Sequence, residues 1–160
     1  MQGAAVDWVP GAFSIIRASV LDQVGGFDEA FFLYYEEVDL CRRIKAAGYA
    51  VSYWPDVAVI HLGGESSKSM QQAVRSSSGS QLVLWRLRSG FLYYRKHHGG
   101  SAWRALAMET GWHAARYLRN RFFGGAGRCE KADESRAMLA LASQAWKETR
   151  GGRYSPAKPW

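Results

Sequence analysis

At 160 residues the chain is long enough to bury a core of its own, and 48% hydrophobic with 22% charged side chains excludes global disorder. No apolar run approaches the roughly 20 residues that a bilayer-spanning helix needs. The N-terminus also carries no signal-peptide core, so the chain is expected in the cytoplasm or on the inner face of the cytoplasmic membrane. The net charge of +7 is concentrated, because residues 81–123 hold eight basic side chains and one acidic one.

In chain order, Val6–Val9 reads as a short strand ended by Pro10-Gly11, and Ala12–Ile16 is apolar enough for a second. Ser19 can cap a short helix reaching Val24, its hydroxyl accepting an orphan backbone N–H. Gly25-Gly26 ends that helix, since glycine enters the left-handed region cheaply. The next helix spans Glu36 to Ala47 with Gly48 as its stop. Glu37, Leu40, Cys41, Ile44 and Ala47 lie on one face, so Glu37 continues the apolar stripe and should point inward or into a cleft. A helix N-terminus favours an ionised carboxylate, which suits a proton acceptor. Asp39 and Arg43, spaced i,i+4, are expected to pair on the outer face.

Tyr49–Tyr53 alternates like a strand, Trp54-Pro55-Asp56 makes a turn, and Val57–Ile60 reads as a buried strand. His61 stands where that strand meets the turn Leu62-Gly63-Gly64, a setting that suits both a structural histidine and a ligand or catalytic one. Cys41 and Cys129 are far apart in unlike contexts, which suggests neither a disulfide framework nor a zinc site.

The ordered set Asp7-Trp8-Val9-Pro10-Gly11-Ala12, Arg17, Val24-Gly25-Gly26-Phe27-Asp28-Glu29, Phe31-Phe32, Glu36-Glu37-Val38-Asp39-Leu40-Cys41-Arg42-Arg43, Ala47-Gly48-Tyr49, Pro55 and His61 resembles the C-terminal half of the catalytic domain in family 2 glycosyltransferases. The likeness is to the bacterial rhamnosyltransferase-like branch and spans about residues 5–67. It implies an α/β fold of the GT-A type, followed here by a helical extension. It also implies a nucleotide-sugar donor, a saccharide or lipid-linked acceptor, and a divalent cation, Mn or Mg. By the same resemblance Glu37 takes the position of the catalytic base, where the family usually has aspartate, and Glu36 helps position the acceptor. Asp7 and Trp8 match a turn beside donor and acceptor, Gly11 and Ala12 leave room for a sugar, and His61 matches a metal ligand. The family's nucleotide-binding strands and Asp-x-Asp motif have no counterpart before Asp7, so the chain reads as the distal part of a larger enzyme.

Glu65–Ser80, rich in serine and glutamine, reads as a polar linker or frayed helix. Gln81–His98 is helical, with Leu84, Leu87, Phe91 and Tyr94 on one stripe and Trp85 and Leu92 on the adjoining one. Ser101–Phe123 forms a second helix, its aromatics interleaved with Arg104, Arg116, Arg119 and Arg121. Tryptophan and tyrosine beside arginine suit a membrane surface. An ordinary helical hairpin packed on the catalytic domain explains the pattern equally well, and with no recognised binding motif, nucleic acid is not an expected partner. Lys131–Lys147 forms a third helix, with Ala137, Leu141, Gln144 and Ala145 on a mild face. The expected organisation is a catalytic segment over 1–67, a linker over 68–80, a basic helical extension over 81–150 and a disordered tail over 151–160. The alternative function is a non-catalytic module that binds a membrane or a partner, its acid pair a remnant.

Overall fold

A short antiparallel ribbon, β1 (Ala4–Ala5) with β2 (Ser52–Tyr53), joins the two ends of the N-terminal unit in the computed structural model, which describes residues 3–60, 78–123 and 128–158. Ala4 pairs with Tyr53 and Ala5 with Ser52, and the Val6 N–H continues the ladder to the Val51 carbonyl at 3.0 Å. Two compact units divide between Arg75 and Ser76. Residues 61–77, His61 among them, lie outside the described residues.

Between the strands run α1 (Ala18–Val24) and α2 (Glu36–Ala46). The cap of α1 is Arg17, in extended conformation and without a side-chain capping bond, so Ser19 lies inside the first turn rather than ahead of it. Gly25 closes α1 at φ 78°, with its N–H on the Leu21 carbonyl at 2.8 Å, the left-handed exit that glycine permits. Val20, Leu40, Cys41, Ile44 and Val51 form the core of this unit, and Val6, Val9, Ile16, Leu21 and Val24 pack around them. Each large apolar side chain buried there contributes about 1.5–3 kcal/mol.

The Asp39–Arg43 pair forms, but not on an outer face. Asp39 is 0% exposed, and its Oδ2 accepts from Arg43 Nε at 2.8 Å. The rest of the Arg43 guanidinium donates to the carbonyls of Val24 at 2.5 Å, Gly25 at 3.4 Å and Gly26 at 2.6 Å. A cation thus satisfies the carbonyl end of α1, where helix and dipole leave unpaired acceptors. One ion pair therefore fastens two helices.

The expected strands are shorter than their sequence suggests. Residues 7–16 and Val57–Ile60 carry no strand, and Val57, Val59 and Ile60 are exposed rather than buried. A buried strand needs a neighbour on each side to take up its N–H and C=O groups, and among the described residues none lies beside 57–60.

The second unit is helical: α3 (Ser78–His98), a 3₁₀ turn at Gly99–Ala102, α4 (Trp103–Phe122) and α5 (Arg128–Glu148). Leu84, Leu87 and Phe91 of α3 pack with Ala142 and Ala145 of α5, flanked by Ala105, Leu106, Leu141 and Trp146. The Phe91 and Trp146 rings meet edge to face at 5.2 Å. Small side chains let α5 approach closely. Its buried positions are Ala132, Ser135, Ala142 and Ala145, so the expected face is rotated and Ala137 and Gln144 are exposed. Three ion pairs each join a different pair of helices: Arg86–Glu109 at 2.7 Å, Arg88–Glu148 at 2.5 Å and Arg116–Glu134 at 2.7 Å.

The tail is ordered through residue 158, contrary to the expected disorder of 151–160. Gly152, at φ 79°, donates its N–H to the Thr149 hydroxyl, and Arg95 Nε donates to the Gly151 carbonyl at 3.1 Å. A Cβ on Gly152 would stand 2.1 Å from the Phe91 carbonyl oxygen. Two glycines in the left-handed region allow the chain to turn back onto α3.

Candidate active site

The start of α2 is built under backbone strain. Tyr34 and Tyr35 both hold left-handed conformations, at φ 68° and 70°, which cost a bulky residue about 1–2 kcal/mol each. The turn reverses the chain so that Glu36 and Glu37 open the helix. Tyr35 occupies the capping position but makes no side-chain capping bond. No property of Tyr-Tyr in the sequence announces this conformation, since tyrosine favours strands.

Glu36 and Glu37 are both half-buried, and each has one carboxylate oxygen, Oε2, that is buried without a hydrogen-bond partner. Two unpartnered carboxylate oxygens at one helix start are costly inside a folded unit, and strained, polar, unsatisfied positions gather where ligands bind. Burial pushes the Glu36 carboxyl above its ordinary value, and the neighbouring Glu37 charge adds to the rise. The Glu36 backbone N–H, hydrogen-bonding the carboxylate, provides the opposing influence.

Segment 7–11 runs along α2 in the reverse direction. Gly11 stands against Glu37, where an added Cβ would meet Glu37 Cβ at 3.7 Å and Cγ at 4.0 Å. Glycine and glutamate are thus brought together, and only hydrogen occupies the space between Gly11 and the acid. Ala12 follows and is exposed, and Trp8 is 47% exposed, presenting an aromatic face to solvent. Asp7 is elsewhere. It forms an ion pair with Lys45 near the other end of α2, about 12 Å along the helix from Glu37 at 1.5 Å per residue. The Lys45 ammonium holds the Asp7 carboxyl below its usual range. A shallow depression lined by Ala5, Val6, Asp7, Lys45, Ala50 and Val51 lies at that end. Asp7 and the acid pair therefore do not converge.

Among the described residues no three of His, Cys, Asp or Glu come together to hold a metal ion. Glu36 and Glu37 alone are too few donors for a divalent cation, and His61 lies outside the described residues.

Residues 2–79 match the family model described as "Glycosyltransferase like family 2". The chain is 35% identical over 88 residues to rhamnosyltransferase WbbL of Escherichia coli K12, a match covering 55% of this chain and 30% of that protein. It is 45% identical over 56 residues to the N-acetylglucosaminyl-diphospho-decaprenol L-rhamnosyltransferase of Mycobacterium tuberculosis H37Rv, covering 35% and 18%. To the dTDP-rhamnosyl transferase RfbF of Shigella flexneri it is 27% identical over 85 residues, covering 53% and 29%. The chain thus spans about a third or less of the length of the curated relatives it matches. No solved structure matches significantly.

Proposed function

We propose that the protein, whose residues 2–79 match the family model of glycosyltransferase family 2, contributes the acceptor-side half of a GT-A active site. The reaction is transfer of a sugar, rhamnose by analogy with the relatives, from a nucleoside-diphosphate donor to a saccharide or lipid-linked hydroxyl. The observation that carries this reading is the Glu37 carboxylate, which opens α2 with one oxygen buried and unpartnered while Gly11 leaves space beside it.

In this reading the acceptor hydroxyl donates its hydrogen bond to Glu37. As its oxygen bonds the anomeric carbon, its proton passes to the Glu37 carboxylate. The bond from that carbon to the diphosphate oxygen breaks, and its electron pair leaves with the nucleoside diphosphate, which inverts the anomeric centre. A positioned general base of this kind contributes about 10²–10⁴-fold to rate. Glu36 holds a second hydroxyl of the acceptor, and Trp8 offers a ring for a sugar face. A divalent cation would neutralise charge on the leaving diphosphate, but the described residues supply too few donors to hold one. Asp7, tied to Lys45, belongs in this proposal to the rim of the site.

Glu37→Gln tests the assignment in the complete enzyme. Sugar transfer should fall about 10²–10⁴-fold with the melting temperature preserved, and near-normal turnover would remove Glu37 from the role.

A further inference from the structure

Helix α4 packs Ala105 and Leu106 against the helical core, but polar groups are buried beside them. The side it buries carries polar groups: His113 and Asn120 are only 9% and 4% exposed, and Glu109, the one acid of the helix, bonds Arg86 of α3. Arg116, on the same flank and about a quarter exposed, pairs with Glu134 of α5. The opposite side carries Met108, Trp112, Leu118 and Phe122, 77%, 67%, 51% and 72% exposed, with Gly111 and Ala115 exposed between them. These positions recur at three- and four-residue steps, so the apolar stripe runs the length of the helix. Trp103 and Phe123, 57% and 78% exposed, stand near its two ends on opposite borders. Four large apolar side chains aligned on one face go beyond the scattered exposure that surfaces tolerate.

We propose that this face of α4 docks on the surface of an anionic lipid bilayer, the helix lying flat in the headgroup region. Charge selects the occupant. Arg104 and Arg119 stand within the stripe and Arg121 at its edge, all three exposed and without an ion pair among the described residues, while no acid of α4 stands on that side. Arginine stems lie along apolar surface and extend their guanidinium groups to phosphates, and tryptophan seats at the headgroup boundary. The Arg104 guanidinium already lies 5.9 Å from the Trp103 ring centre. A protein partner would have to meet three cations around an apolar strip that offers no acceptor to fix its register, whereas a lipid surface needs no register. The orientation must be flat, since no described helix is long and apolar enough to cross a membrane. Helix α3 offers less to such a surface, because Trp85, Arg88 and Tyr93 are buried and only Tyr94 and Lys96, with His98, stand exposed toward its end. The membrane-facing segment expected over 81–123 narrows accordingly to α4.

This inference is independent of the transferase reading, and its test contains neither sugar nor nucleotide. The full chain is co-sedimented with phosphatidylcholine vesicles, with and without phosphatidylglycerol, across a salt series. Binding should require the anionic lipid and weaken with salt. The triple variant Arg104→Glu, Arg119→Glu, Arg121→Glu should lower partitioning by at least roughly a hundredfold, since each basic residue near such a surface is worth about fivefold. Trp112→Ser with Phe122→Ser should lower it by roughly tenfold or more, with the helical circular dichroism unchanged because both side chains are exposed. Absence of binding to anionic vesicles overturns the proposal. So does binding that neither variant weakens, or self-association in solution that the serine variant abolishes while vesicle binding stays absent, which would assign the face to a second copy.

Discussion

The two units bury polar groups in opposite ways. In the N-terminal unit the buried charge is gathered around α2, with Asp39 and Arg43 tied together and the carboxylates of Glu36 and Glu37 left with unpartnered oxygens. In the C-terminal unit the ions are spread, one pair between each two helices, and it is apolar side chains that stand uncovered. The contrast is one of degree, since Trp8, Ile15 and Ile60 of the first unit are exposed too, and His113 Nδ1 and Asn120 Nδ2 of the second are buried without a hydrogen-bond partner. Unsatisfied polar atoms and exposed aromatics both cost stability.

Substitutions can break or sharpen this contrast. The largest effect is expected in the helical unit at Gly152→Ala, where the new Cβ would overlap the Phe91 carbonyl and the φ of 79° is itself unfavourable. A loss of about 3–5 kcal/mol should follow, read in urea unfolding as destabilisation of α3 and α5. Comparable loss in the amides of α2 by hydrogen exchange would show that the units do not unfold separately. Next comes Asp39→Ala, which leaves the Arg43 guanidinium facing the end of α1 without its counter-ion. About 3 kcal/mol should be lost from the N-terminal unit, whereas Asp39→Asn, which keeps an acceptor, should lose less. Equal losses in both variants would show that charge, rather than hydrogen bonding, holds α1 to α2.

The smallest effect is expected at Glu36, and it carries a sign. Its carboxyl is raised in the folded chain, so the folded state holds the proton more tightly than the unfolded one. Stability therefore falls as pH rises from the ordinary glutamate range through the raised value, then levels. Glu36→Gln should remove this slope, so the variant gains on the parent as pH increases across that window. A thermal-melt series against pH checks it, and a constant difference between the two proteins would overturn the burial argument.

Much of α2 was legible in advance. Its start at Glu36, the stop at Gly48 and the buried Leu40, Cys41 and Ile44 follow from a 3.6-residue period and a glycine. The Asp39–Arg43 pair was legible as spacing but not as location, because i,i+4 geometry is the same in water and in a core. The acid pair was visible as Glu36-Glu37; the unpartnered oxygens beside it were not, since no residue type signals the left-handed turn at Tyr34-Tyr35. The strands at 12–16 and 57–60 were misread because β-structure needs partners distant in sequence, and apolar composition only makes a segment ready to pair.

By itself, then, the sequence determined the helices, their glycine stops, the concentration of positive charge over 81–123 and the ordered motifs that resemble family 2 glycosyltransferases. These are local or additive properties, set within a turn or two of chain or by simple summation. The tertiary structure decided which side of each helix is covered. That choice put Asp39 inside, brought Gly11 against Glu37, folded Gly152 onto Phe91 and left the apolar side of α4 facing out. A helical period identifies two faces, but only the neighbours that pack against the helix determine which of them meets water.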